Sequence, residues 1–504
     1  MGEGEGGRRL REPLARRGVD KMKTFWVPPP LRPLPPRGGE IFGRICLINY
    51  GLLSKRLWSV QSFETFLYNG WVDWMDEKAY RQSLDYLYGL EKFGMIFGLT
   101  QMQRILDAIG NPHREIQAIH IGGTNGKGST AAMTASILQR EGYRVGLYTS
   151  PHLLRFTERI KVNGKEIEKE EVAALTDWMR ERIEAAGIAP PFTFFDFTTA
   201  MALLFFKQRM VDLAVLEVGL GGRLDSTNVV DPLLSVITNI AKDHEEHLGK
   251  GILKIAAEKA GIIKKDRPLV TAATQPTVLH LFSKICREKG SHCFGVGKEF
   301  RYSRAGERSF HYEGLQRKLW GIQLNLMGSH QIINAATALG TVEILESQGY
   351  PVSTESMVGG LRDVEWPGRM EMIYDSPKVL LDGAHNPAGA FALKESLEKE
   401  FQYERLILLI GVMKDKDIDS ILQSLAPLAD HIILTQPHSE RAAPPELLKK
   451  ALGRDGRKAE IIEDLQEAIE KGLSVTTGGD LLCITGSLYT VGEARSYFRP
   501  RGGL

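Results

Sequence analysis

Short hydrophobic runs alternate with longer amphipathic segments from about residue 76 almost to the C-terminus. In the first two thirds of the chain these runs predict strands at 118–121, 144–148, 212–218 and 234–240. The last third repeats the pattern, with predicted strands at 379–381, 406–411, 431–435 and 481–485. Strands that alternate with helices are typical of parallel, doubly wound sheets. The sequence therefore predicts an α/β protein that contains two such sheets.

Hydrophobic residues at helical spacing fill the intervals between the predicted strands. Leu84, Leu87 and Leu90 recur on one helix face, and a second helix is predicted to end at Gly110. Further helices are predicted within 131–143, 252–265 and 324–349. The segment 268–325 is predicted to be rich in strands, with several turns.

Residues 1–74 differ from the rest because they are rich in Gly, Arg and Pro and show no regular hydrophobic period. The run VPPPLRPLPPR at 27–37 favours extended polyproline II backbone. Four interpretations are open: an Arg-rich transit peptide, a Pro-rich docking segment, a disordered native extension, or sequence upstream of a true start at Met75. We expect a disordered or mis-assigned extension that is dispensable for activity.

A glycine-rich segment, GTNGKGST at 123–130, lies between the first predicted strand and a predicted helix. Glycines allow backbone N–H groups to approach an anion closely, and a helix N-terminus adds a favourable dipole. Lys127 is placed to reach the outer phosphates of a nucleotide. The P-loop pattern GxxxxGK[ST] is met in part, since Ile121 replaces its first glycine and Gly128 follows the lysine. The segment therefore predicts a phosphate-binding loop.

Polar side chains follow the other predicted strands of the first sheet at the points where those strands end. Ser150 and His152 follow the second strand, Glu217 ends the third, and His244 follows the fourth. In parallel sheets, ligands bind beyond the carboxyl ends of the strands. Carboxylate and other oxygen groups are the ligands that Mg²⁺ prefers. The pattern predicts that a phosphate loop and a magnesium site share one edge of the sheet.

Composition limits the other classes of function. The formal charge of +2 is not that of a protein held to nucleic acid by a broad basic surface. The four cysteines show no CxxC pairing, which fits a reducing compartment, and we expect a cytoplasmic protein. No hydrophobic run approaches the roughly 18 residues of a membrane span. We expect a monomer that binds small molecules, without nucleic acid or membrane.

Several longer motifs occur in one order along the chain: GTNGKGS, SPHLLRFTERI, FTFFDFTTA, LEVGLGGRLDSTN, KDHEEHLG, AAEKAGIIK, GSHQIINAATAL, WPGRME and DGAHNP. On these motifs the chain, from about residue 78 to its C-terminus, resembles the folylpolyglutamate synthase/dihydrofolate synthase family of the Mur ligase superfamily. The resemblance implies a doubly wound P-loop ATPase domain at 75–363. It also implies a smaller Rossmann-like α/β domain at 364–504 that serves as the glutamate ligase domain.

The resemblance also implies roles for individual residues. Catalytic roles fall on Lys127, Lys259 and His385. ATP contacts are implied at Thr124, Asn125, Gly126, Lys127, Asn334, Arg369 and Asp382. A pterin pocket is implied at Gly94, Met95, Ile96, Phe97, Thr193, Phe194, Phe195, Asp196, Leu224, Asp225 and Ser226. Magnesium ligands are implied at Ser150, Glu217, His244 and Lys259, the last as a carbamate formed with CO₂. Asp196 stands where the family usually has glutamate, which implies a shorter pterin contact.

The implied reaction joins L-glutamate to dihydropteroate, to the γ-carboxylate of folate polyglutamates, or to both, through an acyl phosphate. ATP is the co-substrate, two Mg²⁺ ions are expected, and a monovalent cation is left open. The sequence does not decide between the two acceptors. Three alternatives stay open: a dinucleotide-dependent oxidoreductase, a nucleotide switch without chemistry, and another Mur-type amino-acid ligase. The first is disfavoured because GLGGRLD lacks the GxGxxG spacing.

Overall fold

The larger sheet has eight strands, and the structure, a computed structural model, describes residues 77–94, 96–453 and 459–498. The strands are β1 (Ala118–Gly122), β2 (Val145–Tyr148), β3 (Ile160–Val162), β4 (Lys165–Glu166), β5 (Leu213–Glu217), β6 (Leu234–Ile237), β7 (Leu269–Thr271) and β8 (Cys293–Gly295). Their spatial order is β4-β3-β2-β5-β1-β6-β7-β8. From β2 to β8 in that order neighbouring strands are parallel, whereas β3 and β4 continue the sheet antiparallel.

Helices cover both faces of this sheet, which explains why its central strands β1, β5 and β6 are buried along their whole length. Ile119 and Ile121 of β1 belong to one hydrophobic core, and Ala118 belongs to another, because successive side chains point to opposite faces. The helices of this part span 77–89, Thr100–Ala108, Lys127–Glu141, Lys169–Ala185, Phe194–Gln208, Glu245–Leu248, Ile252–Ala260, Pro276–Glu288, Ser329–Ser347 and Thr354–Asp363. Short 3₁₀ turns lie at Glu91–Phe93, Pro112–Glu115, Phe156–Arg159 and Ser226–Val229.

The segment 268–325, predicted to be rich in strands and turns, also contains one long helix. The helix Pro276–Glu288 lies there and buries Val278, Phe282 and Cys286, which recur every four residues along one face. Polar residues lie between these three, so the overall composition of the segment does not indicate a helix. The rest of the segment contains an antiparallel sheet of β9 (Arg301–Arg304), β10 (Ser309–Glu313) and β11 (Lys318–Gln323).

The second large sheet is built from the last third of the chain. Its strands are β12 (Glu371–Asp375), β13 (Lys378–Asp382), β14 (Leu406–Ile410), β15 (His431–Leu434), β16 (Ala459–Ile461) and β17 (Leu481–Thr485). Their order is β12-β13-β17-β14-β15-β16, and every neighbouring pair is parallel except β12 with β13. Its helices are Pro387–Glu400, Ile418–Leu425, Pro445–Leu452, Leu465–Val475 and Leu488–Phe498, with a 3₁₀ turn at Ala426–Leu428.

The predicted α/β class with two doubly wound sheets is confirmed. The eight predicted strands correspond to β1, β2, β5, β6, β13, β14, β15 and β17. All described residues belong to one compact unit, so the boundary between 363 and 364 stays a prediction. The expected extension at 1–74 lies outside the described residues, as does Met95. Within the described ranges no helix has both the length and the hydrophobicity to cross a membrane.

Candidate active site

The phosphate loop joins β1 to the helix Lys127–Glu141 through glycines in conformations that other residues rarely adopt. Gly123 has a φ of 137° and Gly126 a φ of 81°. A Cβ atom on Gly123 would clash with the Thr238 hydroxyl, so the close approach requires glycine. Gly126 precedes the helix and supplies no side-chain cap. The first N–H groups of the helix have no partner within it and are therefore suited to an anion.

The segment after β6 holds the phosphate loop in place. The N–H groups of Thr124 and Asn125 donate to the backbone oxygen and to Oδ1 of Asn239, both at 2.8 Å. The Thr238 hydroxyl donates to the Asn125 carbonyl at 2.7 Å. The N–H groups of Thr124 and Asn125 are therefore occupied by the protein. The backbone donors left for an anion begin at Gly126.

Two lysines lie against the phosphate loop. Lys127 Nζ donates to the Thr124 carbonyl at 3.2 Å, and Lys259 Nζ donates to the Gly123 carbonyl at 2.8 Å. Lys127 is half-buried, whereas Lys259 is only 5% exposed. Burial, reinforced by the charge of Lys127, lowers the pKa of Lys259 to about 7. A substantial fraction of this amine is therefore neutral near pH 7.

Glu217 lies at the carboxyl end of β5, next to the phosphate loop. Its carboxylate is buried and accepts the N–H of Ser150 at 3.1 Å. Burial raises the pKa of Glu217, and the charges of Lys127, Arg369 and Arg159 act against that rise. The predicted magnesium ligands Ser150 and Glu217 are thus in direct contact, beside cations from both sheets.

His244 follows β6 in a left-handed backbone conformation, with a φ of 51°. Burial lowers its pKa to about 4, so the imidazole is neutral and able to ligate a metal. Among the described residues no three His, Cys, Asp or Glu side chains form a ready-made metal cage. Mg²⁺ commonly takes one or two carboxylates and completes its shell with substrate phosphates. Ser150 and Glu217 lie together and could contribute oxygen ligands to such a site, whereas His244 Nε2 lies against the Lys416 ammonium.

The second sheet contributes Arg369 and the residues that follow β13. Arg369 Nη1 donates to the Gly383 carbonyl at 3.4 Å. Asp382 ends β13, and its carboxylate accepts the N–H groups of Met370 at 2.9 Å and Ala384 at 3.0 Å. Asp382 therefore fixes the backbone directly after Arg369 and just beyond the end of β13.

His385 and Asn334 also face this region. His385 Nδ1 lies 2.8 Å from the Gly383 carbonyl, so Nδ1 carries the proton and Nε2 is an acceptor. Burial, with the charges of Lys416 and Arg369, lowers the pKa of His385 to about 4. A Cβ atom on Gly126 would clash with Asn334 Oδ1, which places Asn334 against the phosphate loop.

Asn386 and Lys416, which follow strands of the second sheet, form hydrogen bonds with residues that follow strands of the first. Asn125 and Asn386 exchange hydrogen bonds of 3.1 and 2.9 Å through their side-chain amides. Asn386 also donates to Asp243 Oδ2 at 3.0 Å. Lys416 Nζ donates to Asp243 Oδ1 at 3.0 Å and lies 3.2 Å from His244 Nε2. The Asp243–Lys416 pair is nearly buried, with side chains 10% and 7% exposed.

The motifs do not mark Asp243, Asn386 and Lys416 as functional residues, although Asp243 lies in KDHEEHLG and Asn386 in DGAHNP. Asp243 precedes His244, Asn386 follows His385, and Lys416 is in the polar segment after β14. A sequence shows that such residues end strands. It does not show which of them pair across two sheets.

Replacement of Asp243 by Asn is expected to destabilise the protein by about 3 kcal/mol, because it leaves the buried Lys416 ammonium without its anion. Although burial acts to raise it, His244, Lys416 and His385 together lower the pKa of Asp243 from 3.8 to about 2. The contribution of the Asp243 carboxylate to the free energy of unfolding is therefore complete above about pH 4 and is lost as the pH falls toward 2. Denaturant unfolding of the wild-type and Asp243→Asn proteins at pH 7 and at low pH measures this contribution.

Asp231→Asn is the matched control for this prediction. Asp231 pairs with Arg267 at 2.7 Å, but its side chain is 68% exposed. An exposed pair contributes about 0–1 kcal/mol. Equal losses of stability in the two variants would show that the Asp243–Lys416 pair is not a buried contact.

Two of the three predicted pterin segments lie together. The Ser226 hydroxyl donates to Asp196 Oδ1 at 2.6 Å, and Asp196 Oδ2 accepts the N–H and hydroxyl of Thr193, both at 2.8 Å. Asp225 is buried and accepts the N–H groups of Leu220 at 2.8 Å and of Thr227 at 3.0 Å. Both carboxyl groups thus accept hydrogen bonds from the protein, and these bonds hold the segments 193–196 and 224–226 in place.

Aromatic rings lie beside the same segments. Phe194 stacks on Tyr88 with ring centres 5.7 Å apart, and Phe195 stacks on Tyr148 at 5.9 Å. In the third predicted segment, from Gly94 to Phe97, the Phe97 ring lies 6.0 Å from that of His247 and is 46% exposed. Ile96 is also exposed, at 37%. Leu224, in the second, is half-buried.

A cavity of about 400 Å³ opens beside Arg369, between the helix Lys127–Glu141 and the segment that precedes β12. Thr149, His152 and Trp366 are among its lining residues. A Cβ atom on Gly128 would lie 2.8 Å from the Trp366 ring, so this tryptophan also contacts the first turn after the phosphate loop. The volume is in the range of small-molecule sites.

Comparisons with known proteins agree with this arrangement. The chain matches the Mur ligase middle domain over residues 121–342 and the Mur ligase glutamate ligase domain over residues 368–488. It is 37% identical over 433 residues to the dihydrofolate synthase/folylpolyglutamate synthase of Bacillus subtilis, covering 83% of this chain and 98% of that protein.

Solved structures are similar over the same extent. Folylpolyglutamate synthase of Mycobacterium tuberculosis complexed with ADP has a TM-score of 0.79 and 33% identity, and the match covers 85% of this chain and 100% of that one. A bifunctional folylpolyglutamate synthase/dihydrofolate synthase with Mn, AMPPNP and L-glutamate bound has a TM-score of 0.73 and 30% identity, with coverage of 82% and 97%.

A phosphate loop, a buried carboxylate beside it and an arginine from a second α/β sheet define an ATP-dependent ligase of the Mur type. ATP is its co-substrate, and its site takes a divalent metal. Within that class the chain belongs to the dihydrofolate synthase/folylpolyglutamate synthase family. The predicted family, enzyme class and type of reaction are confirmed.

Proposed function

We propose that this enzyme joins L-glutamate to dihydropteroate and to the γ-carboxylate of folate polyglutamates, with ATP converted to ADP and phosphate. The observation that carries the proposal is the convergence of Lys127, Glu217 and Arg369, since the charges of both cations act on the buried Glu217 carboxylate. A carboxylate cannot expel oxide, so it must first be phosphorylated. Groups from both sheets that surround one anionic centre suit that phosphoryl transfer.

The phosphate loop binds the ATP phosphates in this proposal. The helix N–H groups from Gly126 onward and the Lys127 ammonium neutralise the terminal phosphates. Asn334, which lies against Gly126, and Asp382 with Arg369 complete the nucleotide contacts. The roles of Thr124 and Asn125 are to shape the loop, because their N–H groups are held by Asn239.

Ser150, Glu217 and His244 hold Mg²⁺ in this proposal, and we propose a second ion beside Lys259. When bound, the metal supplies charge neutralisation at the transferring phosphoryl group. Lys259 holds its ion as a carbamate. Its buried amine with a pKa of about 7 is neutral often enough to capture CO₂, and the carbamate nitrogen keeps one N–H for the Gly123 carbonyl.

His385 serves the second half of the reaction in this proposal. The substrate acyl phosphate is attacked by the amino group of L-glutamate, which must lose a proton. Neutral His385 has Nε2 as a free acceptor, because Nδ1 donates to Gly383. We assign it the role of accepting a hydrogen bond from that amine and so orienting it. The pterin is bound between the segments 193–196 and 224–226, with 94–97 at their rim. The protein acts as a monomer in this proposal, divided into domains at 363/364.

ADP release measured in the presence of each acceptor tests the proposed function. We expect release that requires both L-glutamate and either dihydropteroate or a folate, with the corresponding glutamate conjugate as product. A control reaction that replaces the pterin by a UDP-sugar peptide is expected to be inactive. ADP release that does not depend on L-glutamate would instead indicate a nucleotide hydrolase or switch.

A further inference from the structure

His120 is a buried histidine at the centre of the first sheet. It lies on β1 between β5 and β6, and its relative exposure is 0%. Burial lowers its pKa to about 3, so the imidazole is neutral and only one ring nitrogen carries a proton. Nε2 lies 2.8 Å from the Thr227 hydroxyl, and the buried Nδ1 has no hydrogen-bond partner in the described part of the chain.

The direction of this hydrogen bond follows from the next one. Thr227 has a single hydroxyl proton, and it donates that proton to Asp225 Oδ1 at 2.5 Å. The Thr227 oxygen must therefore accept a hydrogen bond from the N–H at Nε2 of His120. The three side chains form one chain of hydrogen bonds that runs from His120 through Thr227 to Asp225.

Asp225 also binds the backbone of the loop that precedes it. Its carboxyl group accepts the N–H groups of Gly219, Leu220 and Thr227, which closes the segment 219–227 around one buried side chain. The Thr227 hydroxyl is the only side-chain donor among these contacts. Loss of that hydroxyl would leave both Asp225 and His120 short of a partner.

The same loop contacts the other pterin segment. Ser226, between Asp225 and Thr227, donates to Asp196, which accepts two further hydrogen bonds from Thr193 at the start of the helix Phe194–Gln208. A Cβ atom on Gly219 would lie 2.6 Å from the Phe195 ring. A shift of the loop would therefore move the Ser226 contact and the space beside Phe195 together.

We propose that His120 and Thr227 are positioning residues for the pterin substrate. They touch neither substrate nor nucleotide. They set the shape of the loop 219–227 against the segment 193–196, and so determine the affinity for a flat, bicyclic heterocycle. The inference rests on the proposed function, which places the pterin between these two segments. Its specific consequence is that a change at either residue affects the acceptor more than ATP or L-glutamate.

A matched pair of variants at Thr227 tests the inference. Thr227→Val keeps the shape of the side chain and removes the hydroxyl, whereas Thr227→Ser keeps the hydroxyl. We expect the valine variant to raise KM for dihydropteroate about tenfold, while kcat and KM for ATP change less than about threefold. The serine variant is expected to recover most of the affinity. Steady-state kinetics with each substrate varied in turn gives these values.

A second pair of variants, at His120, changes the donor of the same hydrogen bond. It tests the inference even if the Thr227→Val protein does not fold. His120→Leu removes the donor, and His120→Gln keeps an N–H that can reach Thr227. We expect KM for dihydropteroate to rise in the first and to be partly restored in the second. Unchanged KM in the hydroxyl-free and donor-free variants would overturn the inference, as would equal increases for all three substrates. A wild-type enzyme inactive with every pterin would instead overturn the proposed function.

Discussion

Lys127→Ala is expected to lower turnover at least about 100-fold while the protein remains folded. The side chain makes one hydrogen bond, to the Thr124 carbonyl at 3.2 Å, and is only half-buried, so the fold loses little without it. The charge of the ammonium acts on the buried Glu217 carboxylate, and in the proposed function it neutralises charge on the transferring phosphate. Single-turnover kinetics and thermal unfolding of the same preparation separate the two effects.

Lys265→Ala is the control for this variant. Lys265 is exposed on the loop after the helix Ile252–Ala260, away from the phosphate loop in the sequence. It is expected to retain wild-type turnover, because a solvated charge is screened from the site. If Lys127→Ala kept turnover within a few fold of Lys265→Ala, Lys127 would be a surface lysine without a role in phosphoryl transfer.

Lys259→Arg is expected to abolish activity, although it preserves the positive charge of an ordinary lysine. An arginine cannot form a carbamate and stays protonated at any pH in use. It would place a fixed cation where the proposal requires an anion for a metal. The site is also tight, since a Cβ atom on Gly222 would lie 3.0 Å from the Lys259 Cα.

Lys259→Ala provides the complementary measurement. This variant is also expected to be inactive, but short carboxylates such as acetate are expected to restore part of the activity by supplying the missing anion. The Asp231→Asn protein, altered at an exposed pair, is the control for nonspecific effects of acetate. An active Lys259→Arg enzyme would refute the carbamate, and Lys259 would then be a structural hydrogen-bond donor to Gly123.

The hydrophobic pattern predicted the sheets well, because buried parallel strands are continuous hydrophobic runs that need no knowledge of their partners. It missed β3 and β4, which are short and lie at the sheet edge. It also missed the helix Pro276–Glu288, whose buried face is only Val278, Phe282 and Cys286. Weakly patterned elements of this kind depend on tertiary packing, which the local sequence does not show.

The candidate site was predicted in its local parts and missed where it depends on contacts between distant segments. Lys127 and Glu217 were found because glycine-rich turns and strand ends are local features. Lys416 was not, since its partner Asp243 is 173 residues away in the chain. Asp196 and Asp225 were predicted as pterin contacts, and their pterin roles stay predictions. The structure shows that the carboxyl oxygens of both residues accept hydrogen bonds from the protein, which no motif indicates.

Transfer of oxygen isotope from the acceptor to phosphate tests the central claim most directly. Dihydropteroate labelled with ¹⁸O in its carboxylate would be incubated with the enzyme, ATP and L-glutamate, and the released phosphate analysed by mass spectrometry. If the carboxylate is activated as an acyl phosphate, each molecule of phosphate released with product carries one ¹⁸O atom. Product formed with unlabelled phosphate would contradict that mechanism, and with it the roles proposed for Lys127, Lys259 and Arg369.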